Sequence, residues 1–185
     1  MNKTFSVIIT TYYRNDLLVR AVKSVLCQTY RDFEIIIIDD SKNRHAEQTV
    51  LTLQKKTKSV IRYISSGGVK QGGARNLGFK NAKGDLIAIL DDDDLWVENK
   101  LEIEFNTLKK YNFNVIVYGG RTLHNLEGEK IGEYLPKYSL LASHMIKLFN
   151  FVAFPALAFR KSVFDKVGFL DETLCTHEDW DFLNR

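Results

Sequence analysis

Four consecutive aspartates, Asp91 to Asp94, close the apolar run Asp85-Leu-Ile-Ala-Ile-Leu90. Carboxylates crowded at one strand end repel each other and raise their pKa values unless a cation neutralises them. Mg2+ or Mn2+ suits such a group, because both prefer oxygen ligands and take one or two carboxylates together with substrate phosphates and water. A diphosphate would supply those phosphates. The competing explanation is helix capping, with Asp93 or Asp94 satisfying free N–H groups ahead of Leu95-Trp96. Four acidic residues in a row exceed what a cap needs.

Two more polar segments follow apolar runs. Thr10-Thr-Tyr-Tyr-Arg14 comes after Phe5 to Thr10, and Asp39-Asp40-Ser41 after Phe33 to Asp39. Hydroxyls, aromatic rings and carboxylates together suit a nucleoside, although an Asp pair after a strand is also ordinary turn and N-cap chemistry. Arg75 lies just past Gly67-Gly68 and Gly72-Gly73, where a guanidinium could meet phosphate or hold a carboxylate in place; a plain surface arginine is the alternative. Those glycines fit neither GxGxxG nor GxxxxGK[ST], so they read as a flexible loop. Glu178-Asp-Trp-Asp181 forms a second carboxylate cluster at a helix start after His177. One of these could take the proton of an attacking hydroxyl, or simply complement the helix dipole. The four histidines show no HExxH spacing and no serine lies in GxSxG, which removes zincin and serine-hydrolase chemistry.

These groups must be carried by an α/β framework. Short β-branched runs alternate with segments of helical period, the pattern of a largely parallel sheet flanked by helices. In such sheets ligands bind beyond the carboxyl ends of the strands, where all three polar segments fall. The expected elements are a strand Phe5 to Thr10; a helix capped by Asp16 with Leu17, Leu18, Ala21, Val22, Val25 and Leu26 on one face; and a covered strand Phe33 to Asp39. Next come a polar helix His45 to Lys56, a strand Val60 to Ile64, a helix Ala74 to Ala82 ended by Gly84, and the strand before Asp91. A helix carrying Leu101, Phe105 and Leu108, a strand Val115 to Tyr118, a hairpin turning at Glu127-Gly128 and a strand Ala156 to Phe159 complete the series.

The chain has 185 residues, 45% hydrophobic content and a net charge of +3. That suits one domain over 1–185. Charges of both signs are mixed along the chain, which argues against nucleic acid as a partner. A mildly basic face is compatible with peripheral contact on anionic lipid. Cys27 and Cys175 form no disulfide framework, and no apolar stretch approaches the roughly 20 residues of a membrane span. The N-terminus lacks signal-peptide flanks. A cytoplasmic protein is expected, working at the inner face of the membrane if it meets lipid at all. The helix opening at Glu178 stops after about two turns, which reads as a cut within a longer protein.

Taken in order, Ser6-Val-Ile-Ile-Thr-Thr-Tyr-Tyr-Arg14, Ile36-Ile-Ile-Asp-Asp-Ser41, Gly73-Ala-Arg-Asn-Leu-Gly78, Ile89-Leu-Asp-Asp-Asp-Asp-Leu-Trp96, Phe159 to Glu172 and Glu178-Asp-Trp-Asp181 resemble the family 2 glycosyltransferases. The resemblance covers nearly the whole chain. It implies the GT-A fold and an inverting, metal-dependent transfer of a sugar from a nucleotide-diphosphate sugar, a UDP-sugar first among them, to a hydroxyl of a saccharide or lipid-linked saccharide acceptor. Assembly of a cell-surface polysaccharide is the implied setting. By the same resemblance Thr10, Tyr12, Arg14, Asp39, Arg75, Asp91 and Asp92 surround the nucleotide sugar. Asp93, the second aspartate of the family's DxD motif, would be the ligand of Mn2+ or Mg2+. Asp179 would be the catalytic base. The alternatives are a nucleotide-sugar-binding module without transfer activity and a sugar nucleotidyltransferase, whose Gly-rich basic signature is missing from Thr10 to Arg14. A receiver-type signalling domain would leave Asp91 to Asp94 unexplained.

Overall fold

A computed structural model describes residues 4–111, 113–125, 127–136 and 141–185. Strands β1 (Phe5–Thr11), β2 (Phe33–Asp39) and β3 (Val60–Ser65) alternate with helices α1 (Asn15–Leu26), α2 (Glu47–Lys55) and α3 (Lys70–Asn81), followed by β4 (Leu86–Asp91) and α4 (Lys100–Leu108). The second half holds β5 (Ile116–Tyr118), the hairpin strands β6 (Arg121–His124) and β7 (Lys130–Tyr134), the short α5 (Ala142–Met145), β8 (Leu157–Arg160), α6 (Phe164–Val167) and α7 (Glu178–Asn184). The main sheet runs in the order β3-β2-β1-β4-β8-β5. Its first four strands are parallel, whereas β8 runs antiparallel to both β4 and β5.

The period-2 alternation of the strands divides the core. Phe5, Val7 and Ile9 of β1, Ile35 and Ile37 of β2, and Leu86, Ala88 and Leu90 of β4 pack with α1, α2 and α4. Ile8, Ile36, Ile38, Ile87 and Ile89 face α3, α6 and α7. Right-handed crossovers explain the division. The chain moves one way along the sheet from β1 to β3, placing α1 and α2 on one face. It then returns past β1 to β4, which places α3 on the other. That reversal makes the gap between β1 and β4 a topological switch point, where α/β sheets open a binding crevice. Close packing holds α3 down: a Cβ at Gly78 would come within 2.5 Å of Ile8 Cγ2.

Several local expectations are corrected. Asp16 lies inside the first turn of α1, with Arg14 at the cap position and no side-chain cap bond. The Gly72-Gly73 pair belongs to α3, which starts four residues earlier than its apolar pattern suggested, at Lys70. Glycines weaken a helix in isolation, but here they let its first turn approach α7: a Cβ at Gly72 would meet Glu178 Cγ at 3.3 Å. Helix α3 ends at Asn81; Gly84 lies beyond it and donates its N–H to Ser6 Oγ. No helix follows Asp91 to Asp94 directly, since α4 begins only at Lys100, so the capping explanation for the four aspartates fails. The hairpin turn at Glu127-Gly128 is present between β6 and β7. Residue 126, within that connection, lies outside the described residues.

Candidate active site

Parallel register sets the strand ends level. Thr10 pairs with Asp91, and Thr11 with Asp39, so the polar segments after β1, β2 and β4 share one edge of the sheet. A cleft of about 390 Å3 opens there, lined among others by Thr10, Thr11, Tyr12, Arg14, Asp40, Lys42, Gly68 and Lys70. Tyr12 is 57% exposed and stands edge-to-face against Tyr13 with ring centroids 4.7 Å apart.

The aspartates divide into two groups. Asp92 is buried; it accepts a hydrogen bond from Thr11 Oγ1 at 2.7 Å and forms an ion pair with Arg14 at 2.5 Å. Burial pushes its carboxyl upward, against the lowering effect of Thr11 and Arg14. Arg14 also reaches Asp93 at 2.9 Å. Thr11, Arg14 and Asp92 therefore lock the end of β1 to the end of β4. Asp91, Asp93 and Asp94 gather together, with one carboxylate oxygen from each within 4.8 Å of the others. Although Asp94 reaches solvent, the dense protein around it, followed by the charges of Asp91 and Asp93, pushes its pKa up to about 6; Arg121 offsets part of this. Unbalanced negative charge on hard oxygen donors is the environment a small divalent cation relieves, so these side chains fit Mn2+ or Mg2+.

Arg75 is not a surface residue. It is 3% exposed, and its Nη2 donates to both oxygens of Asp91 at 2.9 and 3.2 Å. Its Nη1 meets Glu178 Oε1 at 3.3 Å, and its guanidinium lies 4.7 Å from the centre of the Phe154 ring. The side chain thus ties the end of β4 to the first residue of α7. Asp179 follows, half-buried, with Oδ1 accepting the Trp180 N–H at 2.7 Å. His177, just before α7, holds a φ of 64°, and Tyr13 and Lys70 at the cleft hold 56° and 67°. Such left-handed conformations in residues with side chains cost about 1–3 kcal/mol and concentrate at functional sites.

Asp39 is fully buried. Its carboxylate accepts hydrogen bonds from the N–H groups of Ser41 (2.9 Å) and Ala46 (2.8 Å) and from the Tyr63 hydroxyl (2.9 Å). Burial would raise its pKa, but these bonds outweigh it and the net shift is downward. The carboxylate that borders the cleft is instead Asp40, which accepts from Ser66 Oγ at 2.5 Å and from Val69 N–H at 2.8 Å. Sequence reasoning placed Asp40 in the polar segment after β2 but singled out only Asp39 from it, and it passed over Lys42 and Lys70. The adjacency of Asp40 to Asp39 was the one available signal; the lysines carried none, because surface lysines are ordinary.

Residues 6–168 match the family model described as Glycosyl transferase family 2. An uncharacterised glycosyltransferase of Nostoc sp. is 33% identical over 178 residues, covering 90% of this chain and 53% of that protein. An Escherichia coli UDP-Glc:alpha-D-GlcNAc-diphosphoundecaprenol beta-1,3-glucosyltransferase is 29% identical over 143 residues, covering 77% and 54%. The chain therefore spans about half the length of these curated relatives. Among solved structures, S. aureus TarS 1–349 in complex with UDP-GlcNAc superposes with a TM-score of 0.74 at 19% identity, covering 97% of this chain and 52% of that one. That likeness shows the fold: a mostly parallel GT-A sheet flanked by helices.

Proposed function

We propose, for a chain that belongs to glycosyl transferase family 2, that it moves a sugar from a nucleotide-diphosphate sugar to an acceptor hydroxyl with inversion at the anomeric carbon. The observation that carries this reading is the placement of the acidic group Asp91, Asp93 and Asp94 beside a nucleotide-sized cleft at the switch point between β1 and β4. Thr10, Tyr12 and the Asp39-Asp40 turn shape the nucleoside side of that cleft. Thr11 and Arg14 fix the height of Asp92 and so aim its neighbours.

A divalent cation, Mn2+ or Mg2+, held by Asp93 with Asp91 and Asp94 would neutralise charge on the diphosphate leaving group. Asp179, beside the Arg75–Glu178 tie, takes the proton of the acceptor hydroxyl as its oxygen attacks. The new bond joins that oxygen to the anomeric carbon, and the bond to the diphosphate breaks, releasing the nucleoside diphosphate. One displacement inverts the configuration and needs no covalent enzyme intermediate.

A UDP-sugar as donor is favoured by the UDP-Glc donor of the E. coli relative and by the UDP-GlcNAc bound to TarS. A lipid-linked saccharide acceptor is favoured by the diphosphoundecaprenol-linked GlcNAc acceptor of that relative; a role in surface polysaccharide assembly at the cytoplasmic face of a membrane is part of the same proposal. Among the described residues no helix is long and apolar enough to cross a membrane. Calorimetric titration with UDP, GDP and dTDP, each with and without Mn2+, tests the donor site: one nucleotide should bind in a metal-dependent way, and Asp93→Ala should abolish that dependence. Asp179→Asn should keep donor affinity and lose turnover. No turnover in the parent chain alongside intact binding would instead indicate a binding module.

A further inference from the structure

A second cleft, of about 330 Å3, lies between the end of β5, the β6–β7 hairpin and the segment before β8. It falls at the small end of the range for ligand pockets, about 300–1,000 Å3, and has their usual make-up of apolar walls with a few polar groups. Aromatic rings dominate the walls. Tyr118 meets Phe151 edge-on at 5.8 Å, and Phe149 lies 5.7 Å from Phe151. Tyr134, 55% exposed, forms the opposite side beneath the guanidinium of Arg121, 4.9 Å from the ring centre.

Two further observations mark the cleft as built for a ligand with hydroxyl groups. The Tyr118 hydroxyl is buried and has no hydrogen-bond partner among the described residues, a state that costs about 1–3 kcal/mol unless something pairs with it. Arg121, lining the cleft, also acts on the charge of Asp94, so the cleft opens beside the acidic group. The hairpin is held close to β5 at Gly120, where a Cβ would come within 2.8 Å of Tyr134 O; any larger residue would push Tyr134 away.

We propose that this cleft holds a sugar ring of the acceptor. The faces of aromatic rings carry negative charge, and the axial C–H bonds of a pyranose present a weakly positive apolar face to them. Tyr134 supplies such a face, while Arg121 and Glu133 line the cleft within reach of the sugar's hydroxyls. The inference rests on the glycosyl-transfer reading above and assigns its acceptor side: a saccharide bound through its ring, beside the donor's diphosphate.

The test is ligand-observed saturation-transfer NMR on the 185-residue chain with methyl glycosides of glucose, galactose, mannose and N-acetylglucosamine, with hexanol as an apolar probe and UDP plus Mn2+ as the donor-site probe. At least one glycoside should bind. Its affinity should fall about two- to tenfold in Tyr134→Ala, the worth of one aromatic contact, recover in Tyr134→Phe, and leave UDP binding unchanged. Tyr134 is exposed on a hairpin, so the variant keeps the core. The proposal is overturned if UDP binds but no glycoside does, if hexanol alone occupies the cleft, or if glycoside binding ignores both Tyr134→Ala and Tyr118→Phe. Glycoside binding lost in Tyr134→Ala, in a chain that binds no nucleotide, would keep the saccharide site and overturn the donor assignment. Failure of both probes would overturn both.

Discussion

Replacing Arg75 by methionine should destabilise the fold far more than it weakens donor binding. The guanidinium is 3% exposed and is the ion-pair partner of both Asp91 and Glu178. Methionine keeps the apolar stem over Phe154 but leaves two carboxylates behind. Removing one partner of a buried pair costs about 3–5 kcal/mol. The Asp91 side chain is 20% exposed and that of Glu178 10%, so water relieves part of the loss and about 3 kcal/mol is expected. With a urea m-value of about 2 kcal/mol/M, the midpoint of unfolding should fall by about 1.5 M. Adding Glu178→Gln removes the more buried of the stranded charges and should restore about 1–2 kcal/mol, a coupling that independent sites would not show. Urea unfolding of the parent, both single variants and the double variant, at pH 7 and without nucleotide, completes the cycle. A midpoint shift below about 0.3 M for Arg75→Met, coupled with a large loss of UDP affinity, would refute the reasoning. Arg75 would then leave its carboxylates to serve the ligand, as its place in the sequence suggested.

Asp94 should make cation binding pH-dependent. Its pKa of about 6 means that the folded protein retains a proton there from the ordinary carboxylate range up to about pH 6, and the metal must displace it. Mn2+ affinity should therefore rise with pH, being about tenfold weaker at pH 5 than at pH 7 and level above that; Asp94→Asn should flatten the profile, and an unchanged slope in that variant would refute the assignment. Linkage gives the metal-free fold the opposite trend. The folded state holds more protons than the unfolded one between the ordinary value and about 6, so this group's contribution to stability falls as pH rises through that window. At Gly78 the added methyl of alanine would meet Ile8 at 2.5 Å. Such overpacking should cost about 1–3 kcal/mol; a thermal midpoint within a degree of the parent would contradict it.

Much of the framework was legible in the chain. The apolar runs that became β1, β2 and β4 end in Thr10-Thr11, Asp39-Asp40 and Asp91 to Asp94, and strand periodicity together with the rule that ligands bind at carboxyl ends was enough to gather them in one place. Local signals also misled. Gly72-Gly73 read as loop because helix propensity is a local average, whereas the approach of α7 to α3 selects small residues there. Asp16 read as a cap because its type suits one, but the helix had already begun at Asn15.

By itself the sequence determined the alternation of elements, the sheet's apolar core and the concentration of carboxylates after one strand, because these depend on composition and on periods of a few residues. Only the tertiary structure decided which carboxylate does what. Asp92 turns inward to Thr11, 81 residues away, while Asp91 and Glu178 share one buried arginine across as many as 103 residues. Asp39 is sealed by its own turn, leaving Asp40 at the cleft. Four adjacent aspartates are chemically identical in the chain. Burial and the positions of Arg14, Arg75 and Arg121 make them different, and those contacts exist only once distant strands are in register.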